Sequence, residues 1–179
     1  MKILMIRHPE TEPETEKIRR EETERFFEKA EAFQREYLLG RRAVLVSAPE
    51  ACCRKTLEVL TARRTGIPFA VTKSIVAEDF RERGEEESEK EMDLRVQRQM
   101  KSILLHLAVG AKVPPEVLVL SGHRSTLLAI GRGFLKKGEK FPDPAAGAGI
   151  AAELVLAPGF PAPGILLLRP ERILEEKGR

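Results

Sequence analysis

The sequence predicts an α/β fold with a largely parallel sheet. Three observations carry the expectation. Short apolar runs alternate with segments of helical period along the chain. Two of those runs end in small and polar residues that lead straight into a helix, which is the layout of a βα unit. The length of 179 residues, with 42% apolar and 33% charged side chains, suits one globular domain over residues 1–179 rather than a disordered chain.

Lys2 to Ile6 reads as a short strand, broken at Arg7-His8-Pro9-Glu10-Thr11 because proline cannot continue a ladder. From about Glu14 to Leu39 the chain is dense in Glu, Lys and Arg, with Phe26, Phe27, Ala30, Phe33, Tyr37 and Leu38 recurring at helical spacing. The segment reads as an amphipathic helix closed by Gly40, its charges forming a solvated face. Ala43 to Val46 is a buried strand, Ser47-Ala48-Pro49 its exit, and Glu50 to Arg64 a helix with Pro49 pre-set at its start. A further short strand is expected near Phe69 to Val71. Glu78 to Glu91 reads as a charged, exposed loop leading into a helix from about Met92 to Leu107. Val117 to Leu120 is the most apolar strand, followed by Ser121-Gly122-His123-Arg124 and a helix from Ser125 to about Lys136. Two C-terminal strands, Ile150 to Leu156 and Ile165 to Leu168, flank a Pro/Gly-rich turn over Ala157 to Gly164.

Composition excludes several function classes. The 31 basic and 28 acidic residues are intermixed and sum to a net charge of +3, so no basic stripe for nucleic acid is expected. No apolar run approaches the roughly 18 residues of a membrane span, and the N-terminus does not read as a signal peptide, so a cytoplasmic location is the expectation. The absence of Asn and the wealth of Glu, Lys and Arg resemble thermophile composition. Cys52 and Cys53 are adjacent, poorly placed for a disulfide, and offer neither a CxxC pair nor the spacing of a cysteine phosphatase loop. They read as small apolar residues at a buried helix start. Gly147-Ala-Gly149-Ile-Ala-Ala152 matches a dinucleotide-binding pattern, but a strand rather than a helix follows it, and the match reads as accidental.

In open parallel sheets ligands bind beyond the carboxyl ends of the strands, where helix N-termini offer free N–H groups. The exits after Ile6, Val46 and Leu120 are all rich in polar, phosphate-friendly residues, and two of the chain's three histidines, His8 and His123, fall on them. A neutral imidazole is a nucleophile and a protonated neighbour donates to a phosphate oxygen, so the pair can divide those roles, with arginines holding the other oxygens. His106, midway along a helix, reads as structural.

Arg7-His8-Pro9-Glu10-Thr11 resembles the Arg-His-Gly-x-Thr signature of the histidine phosphatase superfamily, which includes phosphoglycerate mutases and phosphohistidine phosphatases. Val44-Leu-Val-Ser-Ala-Pro49 through Thr56 resembles the middle block of that family, and Val117-Leu-Val-Leu-Ser-Gly-His123 its late strand. The resemblance implies a three-layer αβα sandwich, phosphoglycerate mutase-like, around a mostly parallel sheet. It implies His8 as the nucleophile that becomes phosphohistidine, Arg7 as a phosphate clamp, His123 as stabiliser of the transferring group and Thr11 as a hydroxyl contact. Glu78 fits the family's proton donor, with Glu82 second.

The sequence departs from the pattern twice. Pro9 replaces a glycine and removes an N–H from the loop. In a gapless alignment from Ser47 to Thr56 the family's second arginine falls on Cys52, and Arg54 two residues on is the candidate in its place. Arg124 either faces the phosphate or caps the next helix region. The expectation is a metal-independent phosphatase acting on a small phosphorylated substrate or a phosphoprotein, without cofactor or metal. The alternatives are a degenerate member that binds phosphorylated ligands as a regulator, a mutase-type phosphotransferase, and an unrelated binding module. The substrate and oligomeric state are not legible.

Overall fold

A computed structural model of the chain describes residues 1–12, 17–62, 65–110, 113, 115–134, 140–156 and 165–174, with backbone alone at 108–110, 154–156 and 165–172. Six strands, β1 (Lys2–Arg7), β2 (Arg42–Ser47), β3 (Ala70–Val76), β4 (Val117–Gly122), β5 (Gly149–Leu156) and β6 (Ile165–Ile173), form one sheet in the order β3-β2-β4-β1-β5-β6. Strands β1, β2, β3 and β4 pair in parallel, while β5 runs antiparallel to both β1 and β6. The helices are α1 (Arg20–Phe33), α2 (Ala51–Leu60), α3 (Glu89–Gly110) and α4 (Arg124–Phe134). The layered, mostly parallel α/β sandwich expected from the alternation of periods is what the chain adopts.

The strand alternation sorts the core into two faces. Ile3, Met5, Val44, Val46, Leu118 and Leu120 pack with residues of α3 and α4 on one side of the sheet. Leu4, Ile6, Leu45 and Val119 pack on the other with Phe26, Ala30 and Phe33 of α1 and Leu57, Val59 and Leu60 of α2. Both faces of β1 and β4 are therefore covered, which is why their sequences are continuous apolar runs. Each fully buried Leu or Ile there contributes about 1.5–3 kcal/mol.

The structure moves several boundaries. The long first helix is α-helical over Arg20–Phe33 and then loosens into a π-helical turn over Gln34–Leu38. Gln34 explains the local irregularity: fully buried, it donates from Nε2 to the carbonyls of Leu60 at 2.8 Å and Ala62 at 3.0 Å, capping the C-terminus of α2 from the side. The expected start at Glu14 lies outside the described residues, as do the ends expected at Arg64 and Lys136 and the turn over Ala157 to Gly164. Strand β3 runs well past Val71, and the charged loop ends at Glu89, where α3 begins. Among the described residues no helix is long and apolar enough to cross a membrane.

The dinucleotide-like glycines have packing roles. Gly147 sits at φ +68°, a left-handed turn that a side chain strains, and its N–H donates to the His8 carbonyl at 3.2 Å. A Cβ on Gly149 would lie 2.8 Å from the Met5 carbonyl oxygen and 2.6 Å from Ile6 Cδ1. The β5–β1 pairing thus needs a bare backbone beside the end of β1. Gly149→Ala is expected to destabilise the fold by about 1–3 kcal/mol. Urea unfolding checks this, and an unchanged midpoint would contradict it.

Candidate active site

The strand exits are knitted together at the carboxyl edge of the sheet. His8 N–H donates to Gly122 O (3.4 Å), Ala48 N–H to Ser121 O (2.9 Å) and Ala77 N–H to Ser47 O (2.8 Å), so the ladder continues past β1, β2 and β3. The N-termini of α2 and α4 open onto the same edge, as the βα connections dictate.

There His8 meets His123. His8 Nε2 lies 3.1 Å from His123 Nδ1, and the rings stand edge to face at 72° with centroids 4.7 Å apart. His8 Nδ1 lies 2.7 Å from the Pro9 carbonyl oxygen. A carbonyl only accepts, so Nδ1 carries the proton and Nε2 of the neutral ring presents its lone pair to His123.

His123 is buried, and its Nε2 lies 3.2 Å from Glu50 Oε2 without hydrogen-bond alignment, so the contact is mainly ionic. Burial pushes the His123 imidazole towards neutrality, but the Glu50 carboxylate, supported by Glu82 and Cys52, outweighs it and holds the pKa above the ordinary histidine range. Burial likewise works against the Glu50 charge. His123 and the Glu82 N–H, which donates to Glu50 Oε1 at 2.9 Å, reverse that and leave Glu50 below the usual carboxylate range. Both shifts favour the charged forms of His123 and Glu50, and a protonated His123 Nδ1 is placed to donate to His8 Nε2.

Sequence reasoning missed Glu50 altogether and placed Cys52 only as a small buried residue. Both cysteines are buried as expected, but Cys52 also offers its Sγ to a cluster in which that sulfur and the ring nitrogens of His8 and His123 all lie within 4.8 Å of one another. Cys53 Sγ is 3.9 Å from Cys52 Sγ. Contact with Cys53 lowers the Cys52 pKa against the opposing effect of burial, and His8 and His123 lower it further; Cys53, more deeply buried, moves the other way. The signal in the sequence was position: Glu50 and Cys52 follow a strand exit directly.

The other expected residues are distributed more widely. Arg7 Nη1 donates to Pro144 O at 3.2 Å, while its buried Nε has no hydrogen-bond partner among the described residues. Thr11 is half-buried and bridges Ile18. Arg54 is exposed and, with Lys17, Lys55, Thr23 and Cys52, lines a cavity of about 630 Å³. Glu78 is exposed at the first position of a 3-10 turn, whereas Glu82 Oε2 reaches within 3.9 Å of His123 Nδ1. Arg124 is exposed and paired through Nε and Nη2 with both Asp143 carboxylate oxygens. His106 accepts from Lys73 on the sheet surface at 2.8 Å.

The loop that carries Glu82 is held in place. Thr126 Oγ1 donates to Phe80 O at 2.9 Å from inside α4. Arg95 of α3 grips both Glu87 oxygens at 2.7 and 2.6 Å and donates to the Asp79 carbonyl. Arg95 holds the Glu87 carboxyl below its ordinary range. A depressed folded-state pKa contributes stability above the unfolded value of about 4.3, and that stability is lost as acidification passes the folded value. Glu87→Gln is therefore expected to cost about 1.5–3 kcal/mol at pH 7. Thermal melts of both proteins should converge as the pH falls below about 4, through the ordinary carboxylate range; a gap independent of pH would refute the ionic account.

No family model matches the chain, and no curated protein matches it. Solved structures do. The chain is similar to a mycobacterial glucosyl-3-phosphoglycerate phosphatase in complex with VO3, at 14% identity and TM-score 0.64, covering 98% of this chain and 99% of that one. It is similar to the protein histidine phosphatase SixA in complex with tungstate, at 13% identity and TM-score 0.56 over 86% and 88% of the two chains. A third likeness is a putative alpha-ribazole-5'-P phosphatase from Escherichia coli K-12, at 13% identity and TM-score 0.60 over 87% and 91%. The chain thus shares its fold with these solved phosphatases.

Proposed function

We propose that the chain is a phosphatase that hydrolyses a phosphomonoester or a phosphohistidine through a phosphohistidine intermediate on His8, without requiring a metal. The observation that carries this reading is the 2.7 Å contact of His8 Nδ1 with Pro9 O: a carbonyl there favours the proton on Nδ1 and leaves Nε2 as a nucleophile beside His123. The fold, shared with phosphatases solved with VO3 and with tungstate, supports the same class of reaction.

In this mechanism the substrate phosphoryl group displaces the His8–His123 contact. The Nε2 lone pair forms the N–P bond as the P–O bond to the leaving group breaks. The His123 Nδ1–H and the unpartnered Arg7 Nε donate to phosphoryl oxygens, where charge has to be met. A carboxylic acid at Glu82 gives its proton to the leaving oxygen, and the resulting carboxylate takes one from the water that then attacks phosphorus and frees His8. Glu50 positions His123 and keeps it charged.

A second reading, a regulator that binds phosphorylated ligands without turning them over, is favoured by Arg54. Its exposed side chain leaves the phosphate fewer cationic partners than the resembling family provides. A mutase-type transfer would need a second phosphate acceptor in the same site. The test is incubation with p-nitrophenyl phosphate in EDTA, followed by rapid quench into base and peptide mass spectrometry. A phosphoryl group on His8, stable in base and lost in acid, supports the phosphatase. Binding of phosphate without turnover or phosphoenzyme supports the regulator.

A further inference from the structure

We propose that His8, Cys52 and His123 form a binding site for a soft divalent cation of the Zn2+ class, and that such an ion shuts the site off by taking the lone pair of His8. The nitrogens facing each other, His8 Nε2 and His123 Nδ1, lie 3.1 Å apart. The opposite nitrogen of each ring has its own polar neighbour: the Pro9 carbonyl for His8 Nδ1, and the Glu50 carboxylate, in ionic contact at 3.2 Å, for His123 Nε2. The two facing nitrogens are the pair that a cation entering between the rings meets.

The spacing fits the ion. Tetrahedral zinc with Zn–N bonds of about 2.05 Å sets its two nitrogens about 3.3 Å apart. A Zn–S bond of about 2.3 Å sets sulfur about 3.6 Å from each nitrogen. The Cys52 sulfur and one nitrogen of each ring already lie within 4.8 Å of one another, so small side-chain movements bring the three to zinc distances. Glu82 Oε2, 3.9 Å from His123 Nδ1 and on a largely exposed side chain, is within reach of the fourth position.

The surroundings match too. Ligating histidines characteristically give their other N–H to a carbonyl or a carboxylate, which fixes ring orientation and raises basicity. Pro9 O takes that place for His8, and the Glu50 carboxylate lies beside His123 Nε2 in ionic contact. Two imidazoles and a thiolate select Zn2+ or Co2+ over Mg2+ or Ca2+, which prefer all-oxygen sites. A competing set, Glu50, Cys53 and His123, is also clustered within 4.8 Å, and the two cysteines tell the sets apart.

The probe is Co2+ titrated into EDTA-treated, desalted protein, with Zn2+ as competitor. Expected are one equivalent bound, the visible bands of a tetrahedral site and a near-ultraviolet thiolate-to-cobalt band. Cys52→Ala should lose the thiolate band and weaken Zn2+ binding more than about a hundredfold, beyond the 10–100-fold expected of the outer partner in Glu50→Gln. Cys53→Ala should keep the band. His8→Ala, at a half-buried loop position, serves where Cys52→Ala does not fold, and should weaken binding as much. No thiolate band in wild type, or a band that survives Cys52→Ala and vanishes in Cys53→Ala, overturns the site. The inhibitory role rests on the phosphatase reading: Zn2+ should abolish p-nitrophenyl phosphate hydrolysis at the concentrations where it displaces Co2+. Hydrolysis without a cobalt band sinks the metal site and leaves the phosphatase; a cobalt band without hydrolysis does the reverse.

Discussion

Alanine at His8 is expected to lower kcat for p-nitrophenyl phosphate by about 10⁴–10⁶-fold, the scale on which removal of a covalent nucleophile acts. That corresponds to about 5–8 kcal/mol of lost transition-state stabilisation. The expectation is this large because without His8 no N–P bond forms, and water must attack the phosphoester directly. His123→Ala removes one donor and should cost less, about 10²–10³-fold. Stability separates a chemical effect from a structural one. His8 is half-buried on a loop and belongs to neither core face, so His8→Ala should melt within about 1 kcal/mol of wild type. A variant equally stable and retaining a tenth of the activity would remove His8 from the reaction.

What the sequence made legible was whatever depends on local period. β1 and β4 are buried on both faces, so their apolar runs announced them, and the polar residues behind them announced the edge where His8 and His123 meet. β3 escaped beyond Val71 because it is an exposed edge whose residues carry no burial pattern, with Lys73 turned to the surface. β6 continues through Pro170, which an edge strand tolerates and a sequence pattern reads as a stop. The Arg54 question turned on helix phase. α2 runs regularly from Ala51, so Arg54 lies about 200° round the helix from Cys52. Cys52 joins the cluster with the histidines, while Arg54 is exposed and lines the cavity beside α2. Glu50 and Cys52 carry no motif of their own. They become meaningful only when separate strand exits converge, a tertiary event that no spacing along the chain encodes.

The choice between the two acids is open to a sharp test, because their surroundings differ. Glu82→Gln is expected to slow hydrolysis of an alkyl phosphate such as glycerol 2-phosphate by about 10²–10⁴-fold, the contribution of a positioned general acid. Slowing should be much smaller with p-nitrophenyl phosphate, whose stable phenolate leaves without a proton. Glu78→Gln should stay within about threefold of wild type on both, as surface substitutions away from the reacting atoms do. The loop geometry is the reason. Thr126 and Arg95 pin the segment from Phe80 to Glu87 against α3 and α4, and the Glu82 N–H is fixed on Glu50, so its side chain works from an anchored backbone. A pH profile adds an independent reading. Glu82 is among the charges that hold the His123 pKa up, so Glu82→Gln lowers that pKa. Activity that needs a charged His123 is then lost at lower pH than in wild type, and the alkaline limb moves towards neutrality. If Glu78→Gln instead shows the leaving-group-dependent loss while Glu82→Gln leaves both the rate and the alkaline limb in place, the acid is Glu78, and the 3-10 turn must bring it to the substrate.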